Sequence, residues 1–122
     1  MILVDTSVWV DHLRARDARL AGLLERGEVL MHPYVIGEIA CGSLADRAGV
    51  LELLHLLPTA SLAEAGEVLG FIEGTRLHGR GIGYVDVHLL AAATLDDVPL
   101  WTRDKRLDAV AVELGRAYSL DR

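Results

Sequence analysis

Cysteine occurs once, at Cys41, in 122 residues. A single thiol cannot close an intrachain disulfide, and a Cys-rich zinc module is excluded. That usage fits a reducing compartment. No run approaches the roughly 18 apolar residues of a membrane span. The opening residues carry no basic leader, and Asp5 and Asp11 interrupt their apolar run. No secretory signal is therefore read there, and the cytoplasm is the expected location. The histidines at 12, 32, 55, 78 and 88 show neither zinc-type spacing nor an HExxH-like pair, so packed or solvated roles are expected for them. Internal repeats, low-complexity tracts and linkers are absent. Positive charge is also scarce, with 12 Lys and Arg against 18 Asp and Glu, a net charge of −6. A nucleic-acid-binding domain is usually basic. The objection weakens if several carboxylates belong to a cation site, since four such acids would leave −2 over the rest.

Apolar residues are plentiful, at 52%. That excludes intrinsic disorder. The length suits one domain over residues 1–122 and is too short for a TIM barrel, which needs roughly 200 residues. A mean hydropathy of +0.31 is high for a small soluble monomer and points to a hydrophobic partner surface or a homodimer. Helices in the 47–78 region are the expected contributors, with Leu51, Leu54, Leu69 and Phe71 as candidates.

Strands are predicted at 2–4, 29–32 and 99–102, with weaker ones at 59–62 and 117–120. Helices are predicted at 6–14, 18–26, 33–44, 47–57, 64–78, 84–95 and 105–114, bounded by Gly27, Pro33, Pro58 and Gly115. Short strands alternating with helices imply a parallel sheet between helical layers. Ligands bind such sheets beyond the carboxyl ends of the strands. Asp5 follows the first strand and Asp104 the last long one. If those strands are parallel neighbours, the two carboxylates converge. Glu38 is the only charge between Pro33 and Asp46, and Asp86 is alone in an apolar helix. A carboxylate in such surroundings is costly unless paired, protonated or bound to a cation. Taken singly, Asp5 and Asp104 read equally well as helix N-caps, and Glu38 and Asp86 as solvated charges. Taken together, they form the oxygen-rich set that Mg²⁺ or Mn²⁺ requires.

Four segments carry a family resemblance. They are Val4-Asp5-Thr6-Ser7-Val8-Trp9, Glu38 within Val35–Ala40, Gly83-Tyr84-Val85-Asp86-Val87-His88, and Leu100-Trp101-Thr102-Arg103-Asp104-Lys105-Arg106-Leu107. In this order they resemble the PIN-domain ribonucleases, and within them the VapC-type toxins of toxin–antitoxin pairs. One departure is Tyr84, where a small hydroxyl residue is common. The resemblance implies a three-layer α/β/α sandwich around a short-stranded parallel sheet. It implies a catalytic set of Asp5, Glu38, Asp86 and Asp104, with Asp5, Asp86 and Asp104 as metal ligands and Glu38 positioning or deprotonating a water. Thr6 and Thr102 become hydroxyls that orient carboxylates or touch substrate, or else caps. The implied activity is endoribonucleolytic, hydrolysing RNA phosphodiester bonds by a metal-activated water, with Mg²⁺ as cofactor and Mn²⁺ as substitute. The implied partners are RNA, a cognate antitoxin and a second copy of the chain, with no membrane.

The basic residues Arg103, Lys105 and Arg106 bracket Asp104 and could hold RNA phosphates. Trp9 and Trp101 are expected in the core. Ser7 has no sequence-evident His partner, so no nucleophilic role is read for it. The alternative function is a non-catalytic Mg²⁺-binding module, PIN-like or receiver-like. A receiver wants an acidic pair after its first strand, and Asp5 stands without an adjacent acid.

Overall fold

The structure, a computed structural model, describes residues 1–120. The elements are β1 (Ile2–Val4), α1 (Thr6–Arg14), α2 (Ala18–Glu25), β2 (Val29–Leu30), α3 (Pro33–Ala40), α4 (Arg47–His55), α5 (Ala65–Thr75), α6 (Tyr84–Asp96), β3 (Leu100–Trp101) and α7 (Lys105–Glu113). Every strand is apolar along its length, as expected where both sheet faces are covered.

The sheet is parallel in the order β2-β1-β3, with Leu3 opposite Leu30 on one side and Leu100 on the other. The weaker strands predicted at 59–62 and 117–120 shrink to single parallel bridges, Met31 to Thr59 and Leu100 to Ala117. These bridges lie one on each flank of the sheet. Leftward crossovers carry α1 to α4, and the return from Thr59 to β3 carries α5 and α6. Right-handed connection then puts the two groups on opposite faces, giving three layers. Helix packing agrees: α1 packs on α3 and α3 on α4, while α5 packs on α6.

The helix α6 is the centrepiece, with Val87 to Ala93 buried without interruption. A helix apolar on all sides belongs inside a domain. Its three consecutive alanines let it approach the sheet closely. Trp9 and Trp101 lie in the core as expected. Of the four expected interface side chains, Leu54 is core and Leu51 and Phe71 are half-buried, which leaves Leu69 exposed. The helix predicted to 44 stops at Ala40, because Cys41 caps it and Gly42-Ser43 offers little helix support. The Arg47 guanidinium donates to the freed Ala40 carbonyl at 2.6 Å.

Candidate active site

Val4 pairs with Trp101, so the residues that follow them lie side by side at one sheet edge. The Asp5 N–H donates to the Trp101 carbonyl at 2.9 Å. Asp5 is 5% exposed. Its Oδ2 accepts from Ser7 Oγ and from Thr102 Oγ1, both at 2.7 Å. Each hydroxyl is itself an acceptor, Ser7 Oγ from the Arg103 N–H and Thr102 Oγ1 from the Asp104 N–H, both at 3.0 Å. An unbroken chain of hydrogen bonds thus ties the β1–α1 junction to the β3–α7 junction.

The other three acids are anchored one apiece. Asp104 caps α7, its Oδ1 accepting from the Arg106 and Leu107 N–H groups at 2.9 and 3.0 Å. Asp86 lies in the first turn of α6, and its Oδ2 accepts from the Gly83 N–H at 3.0 Å. Glu38 is exposed on α3, and its Oε1 accepts from Thr6 Oγ1 at 2.7 Å. The pattern repeats four times. One oxygen of each carboxylate takes the protein's donors, and the second oxygen takes none of these bonds. Capping and site roles are therefore compatible, because a cap needs only one oxygen.

The four acids feel one another. Burial pushes the Asp86 carboxyl above the usual range, the Gly83 N–H opposes this, and the charges of Asp5, Asp104 and Glu38 push it further up. None of the four takes part in an ion pair among the described residues. No three Asp, Glu, His or Cys side chains among those residues crowd closely enough to enclose a metal by themselves. That is unlike a closed structural zinc site. It fits a hard divalent cation, which takes one or two carboxylates directly and keeps several waters. The donor set, all oxygen and without a compensating protein cation, therefore suits Mg²⁺ or Mn²⁺.

The basic residues diverge. Arg103 points away from the acids, donating to Asp11 at 2.7 Å and to Asp17, with its guanidinium over the Trp101 ring. Arg106 packs over Gly81, where an added Cβ would come within 2.9 Å of the guanidinium. Gly81 also has a φ of +79°, the left-handed conformation that favours glycine there. Lys105 and Arg106 stay exposed at the start of α7 and take part in no ion pair among the described residues. Thr6 and Thr102 both bond to the acids. Ser7, read in the sequence only as lacking a partner for nucleophilic work, was missed as an anchor of Asp5, although a hydroxyl two residues after an N-cap aspartate is a local signal of side-chain contact.

The comparisons with known proteins show the family and the fold. A family model described as PIN domain matches residues 2–113. The chain is 51% identical over 120 residues to "Ribonuclease VapC32" of Mycobacterium tuberculosis, covering 98% of this chain and 97% of the relative. Two solved structures share the fold. FitAcB from Neisseria gonorrhoeae gives a TM-score of 0.62 at 20% identity, over 92% of this chain and 94% of that one. PAE2754 from Pyrobaculum aerophilum gives a TM-score of 0.59 at 18% identity, over 89% and 78%.

Proposed function

This chain belongs to the PIN-domain family, and from that premise we propose that it is a divalent-cation-dependent endoribonuclease, the toxin of a toxin–antitoxin pair. The observation that carries the reading is the set of four carboxylates, each held by one oxygen and none in an ion pair among the described residues. The VapC-type relative supplies the substrate class, RNA. A bound Mg²⁺ or Mn²⁺ supplies a more acidic water and neutralises charge on a phosphodiester.

The chain's own residues do the positioning. Asp5 and Asp86 would hold the cation, and Asp104 would complete the site directly or through a water. Ser7 and Thr102 lock the Asp5 rotamer. Glu38, exposed and steadied by Thr6, stands at the solvent side to orient a water and take its proton. Lys105 and Arg106 hold phosphates beside Asp104. Arg103, committed to Asp11 and Asp17, holds the 102–104 loop in register instead of touching RNA.

The antitoxin has a natural seat. A cleft of about 380 Å³ between α1, α3 and the start of α4 runs from Glu38 over Leu13, Ile39 and Val50. It shares Leu13 and Val50 with a second, apolar hollow of about 200 Å³ under Leu53 and Leu57. An apolar peptide lying there would end beside Glu38. The reading also takes a homodimer in the cytoplasm.

The test is digestion of total RNA by the purified chain with Mg²⁺, with Mn²⁺ and with EDTA. Cleavage is expected with either metal and none with EDTA. Undiminished cleavage in EDTA would overturn the metal-dependent reading.

A further inference from the structure

Tyr84 is 49% exposed, while both tryptophans are buried. Its ring cannot fold away. It stands at 87° to the His88 ring with centroids 4.7 Å apart, and His88 also packs edge-on against Tyr34 at 4.6 Å. His88 is 2% exposed, and neither of its ring nitrogens has a hydrogen-bond partner among the described residues. The imidazole thus serves as an apolar wedge under the tyrosine. A rigid aromatic ring with one side in water is the form of a stacking platform.

The platform adjoins the acidic site. Tyr84 opens α6, the Gly83 N–H immediately before it anchors Asp86, and the Arg106 guanidinium packs on Gly81 three residues earlier. Residues two apart on a helix do not face each other. The ring therefore lies around the helix from the Asp86 carboxylate, beside the site and not within it.

We propose that Tyr84 stacks an unpaired base of the RNA, in a nucleotide flanking the one whose phosphate is cut. Every base offers a π-face, so stacking tolerates sequence, but a base inside a duplex has no free face. Tyr84 accordingly selects single-stranded segments. Arg106 holds the adjoining phosphate. The proposal rests on the RNA-cleaving reading above.

The experiment separates the two. Fluorescence anisotropy at low salt in EDTA measures binding of a labelled single-stranded oligoribonucleotide and of an abasic oligonucleotide of equal length. The proteins are the wild-type chain, Tyr84→Phe, Tyr84→Leu and Tyr84→Ala. Tyr84→Phe should bind like wild type. Tyr84→Leu and Tyr84→Ala should bind the base-bearing strand about tenfold more weakly, with abasic binding unchanged, given the usual worth of one stacked base. Tyr84→Leu keeps apolar bulk over His88, so a merely structural tyrosine would leave that variant unaffected. Equal binding by wild type and Tyr84→Leu, or equal weakening on both strands, would overturn the stacking proposal. So would a shift from dimer to monomer in light scattering of Tyr84→Leu, which would make a second copy the occupant. If wild type neither binds these strands nor cleaves total RNA with Mg²⁺, the RNA reading itself fails.

Discussion

Two clusters of titratable side chains, both reaching into α3 and α6, are built on opposite rules. The four carboxylates at the strand ends each have a protein donor on one oxygen. The histidine pair at the root of α3 and in α6, His32 and His88, is buried with three of its four ring nitrogens unpartnered. The fourth, His32 Nδ1, accepts from the Tyr34 N–H at 3.0 Å and caps α3. Burial favours the neutral form in both clusters, lowering the histidines and raising Asp86. The difference lies in what compensates. The acids of the proposed cation site keep donors that favour charge. Histidines with no such task are packed as apolar rings between Tyr34 and Tyr84. Burial alone is thus a poor guide to function, and the hydrogen-bond partners distinguish the site from the core.

The comparison breaks most easily at Asp86. Asp86→Asn keeps an acceptor for the Gly83 N–H and removes one negative charge. RNA cleavage should fall at least about a hundredfold, on the scale of losing a metal-site or proton-transfer group. Stability should move the other way. A carboxyl raised in the folded state costs stability once pH exceeds its unfolded value of about 3.9. In EDTA at pH 7 the variant should therefore melt above wild type, and it should gain less from added Mg²⁺. A lower melting temperature in EDTA would mark Asp86 as structural.

The histidine cluster gives the next largest effect, with opposite sign. His32 is held down to about 4 by burial, then by its neighbour His88, against a smaller upward pull from Asp96. The unfolded chain takes up a proton near 6.5, so stability present above that pH is lost as pH falls towards 4. The full loss corresponds to roughly 3 kcal/mol. Thermal melting of wild type at pH 7 and pH 5, against His32→Asn, should show a smaller acid penalty in the variant. An equal penalty in both would remove His32 as its source.

Ser7 brings a smaller effect, and it also marks where sequence reading stopped. The grouping of the four acids was legible from their joint pattern, two at strand ends and two alone in apolar helices, and the charges of Asp5, Asp104 and Glu38 do act on Asp86. The helices were legible from apolar periodicity with Gly and Pro boundaries. Ser7 was not, because its meaning comes from Thr102 and Arg103, which lie far away in the chain and meet it only through the pairing of β1 with β3. The same distance hid the partners of Arg103 and the facing of His32 with His88. The bridges at Thr59 and Ala117 were over-read as strands, since a single paired residue leaves no period to detect. Ser7→Ala should weaken Mg²⁺ binding about tenfold, the usual cost of removing a group that orients a ligand, with melting in EDTA little changed. Isothermal titration measures it, and unchanged affinity would leave Thr102 as the sole anchor of Asp5.

Arg103 carries the smallest expected effect and the sharpest distinction between holding the site and touching RNA. Its guanidinium is shared between Asp11 and Asp17, and its backbone N–H ends on Ser7. Asp17 has two tasks. It caps α2 through the Leu20 N–H at 2.9 Å, and it accepts from Arg103. Those donors, the Leu20 N–H first, keep its carboxyl below the usual range. A depressed carboxyl contributes stability above its unfolded pKa and loses it as pH falls through the folded one. The ion pair is partly exposed, with side-chain accessibilities of 36% for Arg103 and 20% for Asp17, so it is worth no more than about 1 kcal/mol. Asp17→Asn keeps an acceptor for the cap, removes the charge and frees half of the guanidinium. It should cost about 0.5 kcal/mol, whereas Asp17→Ala, which also loses the cap, should cost about 1.5 kcal/mol. If Arg103 is a loop anchor, RNA affinity changes little in Asp17→Asn. If the arginine is instead held in reserve for phosphate, releasing it from Asp17 should tighten RNA binding, and the steepness of the salt dependence should rise by nearly one counterion. Urea unfolding gives the first pair of numbers, and an affinity series in salt decides between the two roles.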